Sequence, residues 1–272
     1  MDAVTAAPGG PASSIPQPRL RAIGAGALRG LLDFLLPAQC PVTRASVDRP
    51  GDLAPAAWRK LHFLDAPICD RCGVPFAFDQ GPGAICGACA AEPPVFEKAR
   101  SAVLYSDESR PLVLAFKNGG RTDTVRAFSR WMARAGREAL EGADLLVPVP
   151  LHWRRLFKRR FNQSAMLAMG VGREAGVPVC VDALTRRRST PTQGGLSASA
   201  RRRNVSGAFA VRPSRQTRLE GAIVVLVDDV LTSGATLNAA ATALRKAGAA
   251  EVRAVTLARV PPPGGGALEA AG

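Results

Sequence analysis

Aromatic residues make up only 5% of this 272-residue chain, and just two residues are histidine. Proteins that hold single-stranded nucleic acid usually stack its bases on aromatic rings, so scarce rings weigh against that mode along most of the chain. One of the two histidines, His152, is a candidate general base, although a loop histidine is more often an ordinary surface residue. No stretch is apolar enough to cross a bilayer: residues 28–36 are apolar, but Arg29 and Asp33 interrupt them. A basic region is missing from the N-terminus, so no secretory peptide is expected and a cytoplasmic, reducing location is the default. No internal repeat is evident.

What is present is apolar bulk and positive charge. Apolar residues reach 47%, enough for a real core, and the formal charge is +14. Between Val147 and Arg203 twelve arginines and lysines meet two acids, Glu174 and Asp182, so that region carries +10 of the total. A field of this kind draws phosphates, whether of a small ligand or of a nucleic acid. Within it, Trp153, Phe157 and Phe161 interleave with Arg154, Arg155, Lys158, Arg159 and Arg160. These follow an apolar run at 145–149 whose end is fixed by Pro148 and Pro150. Asn162 then opens a helix as its cap.

The most informative segment is 223–236. Residues 223–227 form an unbroken apolar run rich in β-branched residues, as in strands buried on both faces. Asp228 and Asp229 follow, then Thr232, Ser233, Gly234, Ala235 and Thr236, and then a helical pattern ending near Gly248. Two adjacent acids at the end of a buried strand are costly without a reason, and in open α/β sheets that edge is where ligands bind. Backbone N–H groups and hydroxyls at a helix N-terminus suit a phosphate, and Gly234 allows close backbone approach. A βα turn with acids on the solvent rim and Ser/Thr capping is the plainer reading. Neither a Walker loop nor a Gly-x-Gly-x-x-Gly fingerprint is present here.

Four of the six cysteines form Cys69-x-x-Cys72 and Cys86-x-x-Cys89. This is the four-thiolate zinc-ribbon spacing, and four sulfurs leave no open position, so a zinc ion here is structural. Two disulfides or a redox pair share the spacing, but a reducing compartment favours the metal. Cys40 reads as a free thiol or spare ligand, and Cys180 as a small core residue.

The pattern divides the chain into a disordered 1–18, a zinc-ribbon module at 19–98 that opens with a short helix at 20–36, an α/β domain at 99–260 and a flexible tail at 261–272. Strands are predicted at 101–105, 145–149, 177–181, 223–227 and 252–258. Helices are predicted at 111–117, 124–140, 163–174 and 237–246. Strands alternating with helices imply an α/β fold with a mostly parallel sheet. Residues 186–209, basic and rich in Gly, Ser and Thr, have the composition of a mobile lid or of a basic linker.

Segment 224–236 resembles the phosphoribosyl pyrophosphate (PRPP) signature of type I phosphoribosyltransferases. That resemblance implies that Asp228 and Asp229 take the ribose hydroxyls, as catalytic or binding residues, and that 232–236 holds the 5′-phosphate. It also places a pyrophosphate loop after the strand at 145–149, and it brings Mg²⁺ with PRPP. Together with Arg159–Gln163, the patterns Thr190-x-x-Gln193-x-x-Leu196 and Arg201–Asn204 resemble the ComF (ComF/GntX-like) family, which implies a double zinc ribbon plus a type I phosphoribosyltransferase-like domain, over roughly 28–260. Arg155, Arg159, Arg160, Gln193 and Arg201 are the implied pyrophosphate or lid residues. Two departures stand out: Thr43, where many members carry another cysteine, and Ala200, where an acid is common. The resemblance implies PRPP binding in natural competence, with single-stranded DNA and a helicase as partners. The alternative is an active transferase on a nucleobase-like acceptor.

Overall fold

The computed structural model describes residues 38–40, 42–49, 52–117, 122–151, 161–188 and 203–261. Two compact units partition the chain, Met1–Ala38 and Gln39–Gly272, and every described helix and strand lies in the second. The disorder expected at 1–18, the helix at 20–36 and all but the first residue of the tail lie outside the described residues. So do His152 and the basic run that follows it.

Four parallel strands form the central sheet in the order β1 (Ala99–Leu104), β6 (Glu251–Arg259), β5 (Ile223–Leu231) and β2 (Leu145–Pro148). Successive side chains of β5 alternate between faces. Val225 and Val227 enter one core with Leu146, Phe128, Leu167 and Leu257, and Val224 and Leu226 the other with Leu145, Val147, Leu237 and Leu244. Helices α3 (Arg110–Lys117), α4 (Val125–Ala135) and α6 (Gln163–Ala175) cover the first face, and α7 (Ala235–Lys246) the second. Burial from both sides explains the unbroken apolar run in β5. The outer edge of β1 is covered at its C-terminal half by 62–64, whose backbone pairs with Val103 in antiparallel fashion.

Three predicted elements differ in the structure, and one strand pair is unforeseen. The helix expected at 124–140 is two helices, α4 and α5 (Arg137–Leu140), with Gly136 between them. The chain there presses on the sheet, and a Cβ on Gly136 would lie 2.6 Å from Cγ2 of Val255. The strand expected at 177–181 is a single parallel bridge, Leu146 to Val179, in which the Leu146 N–H donates to the Pro178 carbonyl and the Cys180 N–H to the Leu146 carbonyl; Pro178 has no N–H with which to extend the ladder backward. β5 continues past Val227 to Leu231. A short antiparallel pair, β3 (Leu184–Arg186) and β4 (Phe209–Val211), flanks the segment that the composition presented only as basic linker or lid.

Candidate ligand pocket and metal centre

β2 stops at Pro148, opposite Val227. Asp228 and Asp229 therefore stand where β5 has lost its neighbour on that side while still pairing with β6 through Thr256, Ala258 and Arg259. The acids border a cavity of about 410 Å³ at the C-terminal edge of the sheet. Oδ1 of Asp228 accepts from the Ser164 hydroxyl at 2.9 Å and from the Asp229 N–H at 2.9 Å. Asp229 Oδ2 lies 3.1 Å from the Lys117 ammonium. Lys117 ends α3, and its carbonyl accepts from Gln163 Nε2 at 2.6 Å. Gln163 and Ser164 open α6, whose N-cap is Asn162, as the sequence predicts: its side chain accepts from the Ser164 N–H. Burial, and next the charge of Asp229, push the Asp228 carboxyl up to about 7; Ser164, the Asp229 amide and Lys117 pull the other way.

Beyond the acids the chain turns through Gly234, at φ 77°, into α7. An added Cβ there meets nothing closer than 3.8 Å, so the left-handed backbone, not lack of space, calls for glycine. Thr232, Gly234 and Thr236 line the cavity; Ser233 is exposed and Ala235 buried in the first turn of α7. The structure thus brings Asp228, Asp229, Thr232, Gly234 and Thr236 together. Arg155, Arg159, Arg160, Gln193 and Arg201 lie outside the described residues. Sequence reasoning missed Lys117, Ser164, Gln163 and Tyr105, which also line the cavity, as does Arg186, the first residue of the basic segment with lid composition. Arg186 sits with its guanidinium 5.3 Å from the centre of the Phe209 ring. Only the Asn162 cap hinted at this, by marking where α6 begins beside the strand end.

The second site is built from Cys69, Cys72, Cys86 and Cys89, whose sulfurs all lie within 4.8 Å of one another. A tetrahedral zinc with bonds of about 2.3 Å needs sulfurs roughly 3.8 Å apart, and Cys72 and Cys86 stand at 3.7 Å. Without a cation such a cluster holds its charge unevenly. Cys69, taking a hydrogen bond from the Cys72 thiol, drops to about 4, while burial pushes Cys89 up to about 12. Backbone N–H groups of Cys72 and Cys86 point at the Cys69 sulfur. The donor set fits a structural zinc ion. Gly73 completes the knuckle at φ 66°, and a Cβ there would lie 2.7 Å from the Ala99 carbonyl, so the turn tolerates no side chain.

A second copy of this knuckle lies 29 residues upstream, where Cys40 and the departure at Thr43 are its marks in the sequence. Cys40 N–H bonds to Ala45 O and Arg44 N–H to Cys40 O, as Cys69 does with Val74 and Gly73. Bridges pair Gln39 with Ser46 and Ile68 with Pro75. Arg44, at φ 63°, takes the backbone conformation of Gly73. Ala54 caps helix α1 (Pro55–Trp58) as Cys86 caps α2 (Gly87–Ala91). The positions of the four cysteines are thus filled by Cys40, Thr43, Ala54 and Ala57. The Thr43 hydroxyl and the Ala54 N–H lean on the Cys40 sulfur, and two alanines offer a metal nothing.

Parallel sheet, acid pair and four-cysteine cluster together define a phosphoribosyltransferase-type α/β protein carrying a zinc ribbon. Residues 162–264 match the phosphoribosyl transferase domain family and residues 31–92 the double zinc ribbon domain family. The chain is 34% identical over 200 residues to the DNA utilization protein YhgH of Escherichia coli K12, covering 72% of this chain and 85% of that one. It is 32% identical to Competence protein F of Haemophilus influenzae, covering 71% and 85%. It is 28% identical to Competence protein ComFC of Bacillus subtilis, covering 74% and 81%. The chain belongs to this family of competence and DNA-utilization proteins, the ComF family. Among the described residues no helix is long and apolar enough to cross a membrane.

Proposed function

We propose that the chain binds PRPP in the cavity at the end of β5 and acts in natural competence, in the handling of incoming DNA. The observation that carries this reading is the meeting of the Asp228–Asp229 pair with the Gly234 loop at one sheet edge, in a cavity of about 410 Å³. Ribose hydroxyls would donate to the two carboxylates. Loop N–H groups at the start of α7 would donate to the 5′-phosphate, which the helix dipole also favours. Mg²⁺ arriving with PRPP would supply charge neutralisation between pyrophosphate and ribose oxygens. Lys117 and Arg186 add cationic charge to the rim. Arg155, Arg159, Arg160, Gln193 and Arg201 would reach the pyrophosphate by family resemblance.

The DNA side of this reading rests on the names of the relatives and on the basic stretch between Val147 and Arg203. It makes single-stranded DNA and a competence helicase the expected partners. Isothermal titration of the full chain with PRPP and Mg²⁺ should give saturable binding, with ribose 5-phosphate binding more weakly for want of the pyrophosphate. Equal affinity for the two would remove the pyrophosphate from the account, and no heat with either would sink it. Pyrophosphate release with a panel of nucleobases separates a PRPP binder, which releases none, from a transferase.

A further inference from the structure

Arg259, at the end of β6, is 8% exposed and touches both sites at once. Its Nη2 lies 3.6 Å from the Cys72 sulfur. Its Nη1 donates to the carbonyls of Leu231, at 3.4 Å, and of Thr232. Its Nε has no hydrogen-bond partner among the described residues. A guanidinium buried this deeply needs compensating charge, and four thiolates around one divalent ion carry a formal excess of about two negative charges.

The carbonyl contacts have a directional consequence. In a trans peptide the C=O and the following N–H point opposite ways. The Leu231 carbonyl also accepts from the Val260 N–H at 2.9 Å, so the effect of Arg259 falls on the Thr232 carbonyl: drawing it toward the guanidinium turns the Ser233 N–H away, as an anion-binding loop requires. A second tie runs in parallel. Val95, just past the cysteines, donates its N–H to Asn238 Oδ1 at 2.8 Å, and the Phe96 ring lies beside Gly234.

We propose that Arg259 is a positioning residue through which the metal-bound sulfur of Cys72 orients the loop 231–233, so that metal occupancy of the ribbon sets affinity for a phosphoribosyl ligand. This rests on the reading of that loop as the 5′-phosphate site. A filled site gives the guanidinium a fixed sulfur to lean on, and an empty one takes that anchor away.

The test uses the zinc-loaded full chain, Arg259→Met and Arg259→Lys, the last retaining the charge if Met impairs folding. Zinc affinity is read by chelator competition and ligand affinity by titration with PRPP and Mg²⁺. Arg259→Met should lose roughly ten- to hundredfold in zinc affinity, the usual effect of removing an outer partner of a metal ligand. It should also weaken PRPP binding, with Arg259→Lys in between. In the wild type, saturating PRPP should tighten zinc by the same factor as zinc tightens PRPP, since binding linkage is reciprocal; in Arg259→Met that factor should fall to about one. Coupling of equal size in both proteins overturns the proposal while leaving the PRPP site standing. No PRPP binding to the wild type overturns the phosphoribosyl reading, and this proposal with it.

Discussion

Asp228 carries the clearest consequence at the scale of a single residue. Its folded carboxyl titrates near 7 against an ordinary 3.8, because burial and Asp229 oppose its charge. A carboxyl raised in this way contributes stability while protonated and loses it as pH rises through the folded value. The ligand-free protein should therefore melt at progressively lower temperature between about pH 4 and about pH 7, and Asp228→Asn should flatten that slope. PRPP affinity should run the opposite way, rising toward pH 8 as the carboxylate becomes able to accept from ribose. A wild-type melting profile identical to that of Asp228→Asn would contradict the assignment. The two acids were legible in the sequence because their neighbours in the chain supply their context. Lys117 and Ser164 were not: α3 and α6 bring them to the acids across the sheet, and nothing beside them in the chain marks them.

At the scale of elements the N-terminal region yields a count. Its two knuckles share backbone geometry, yet only Cys69, Cys72, Cys86 and Cys89 form a metal-ligand cluster among the described residues. Metal analysis of the purified chain should find one zinc per chain, and two would overturn the substitution by Thr43, Ala54 and Ala57. Chelation should lower the melting temperature, since a closed four-cysteine site contributes to folding directly. The repeat left only Cys40 and the departure at Thr43 as marks, because one cysteine of four survives in the first copy while its hydrogen bonds belong to the backbone. The sheet was easier to read. β5 declared itself by its unbroken apolar run, whereas β3 and β4, three residues each, left too little pattern to find. At the break between α4 and α5 a Cβ on Gly136 would meet Val255, a closeness that no helical periodicity records.

At the scale of the whole molecule, charge and fold divide the work. The sheet supplies a pocket with two acids, and on the reading proposed above the excess of +10 in the sequence between Val147 and Arg203 would offer phosphates a surface. If that surface holds single-stranded DNA, contact with about five phosphates would cost roughly a hundredfold in affinity between about 50 and 200 mM salt. An affinity indifferent to salt would reject the role. Localisation of PRPP to the acid pair is the claim on which the account depends most. Its most direct test is calorimetric titration of PRPP and Mg²⁺ into the wild type and into a chain carrying both Asp228→Asn and Asp229→Asn. Losing charged hydrogen-bond acceptors should weaken binding by about tenfold or more, with the fold and the zinc content unchanged. Equal affinity in the two proteins would contradict it.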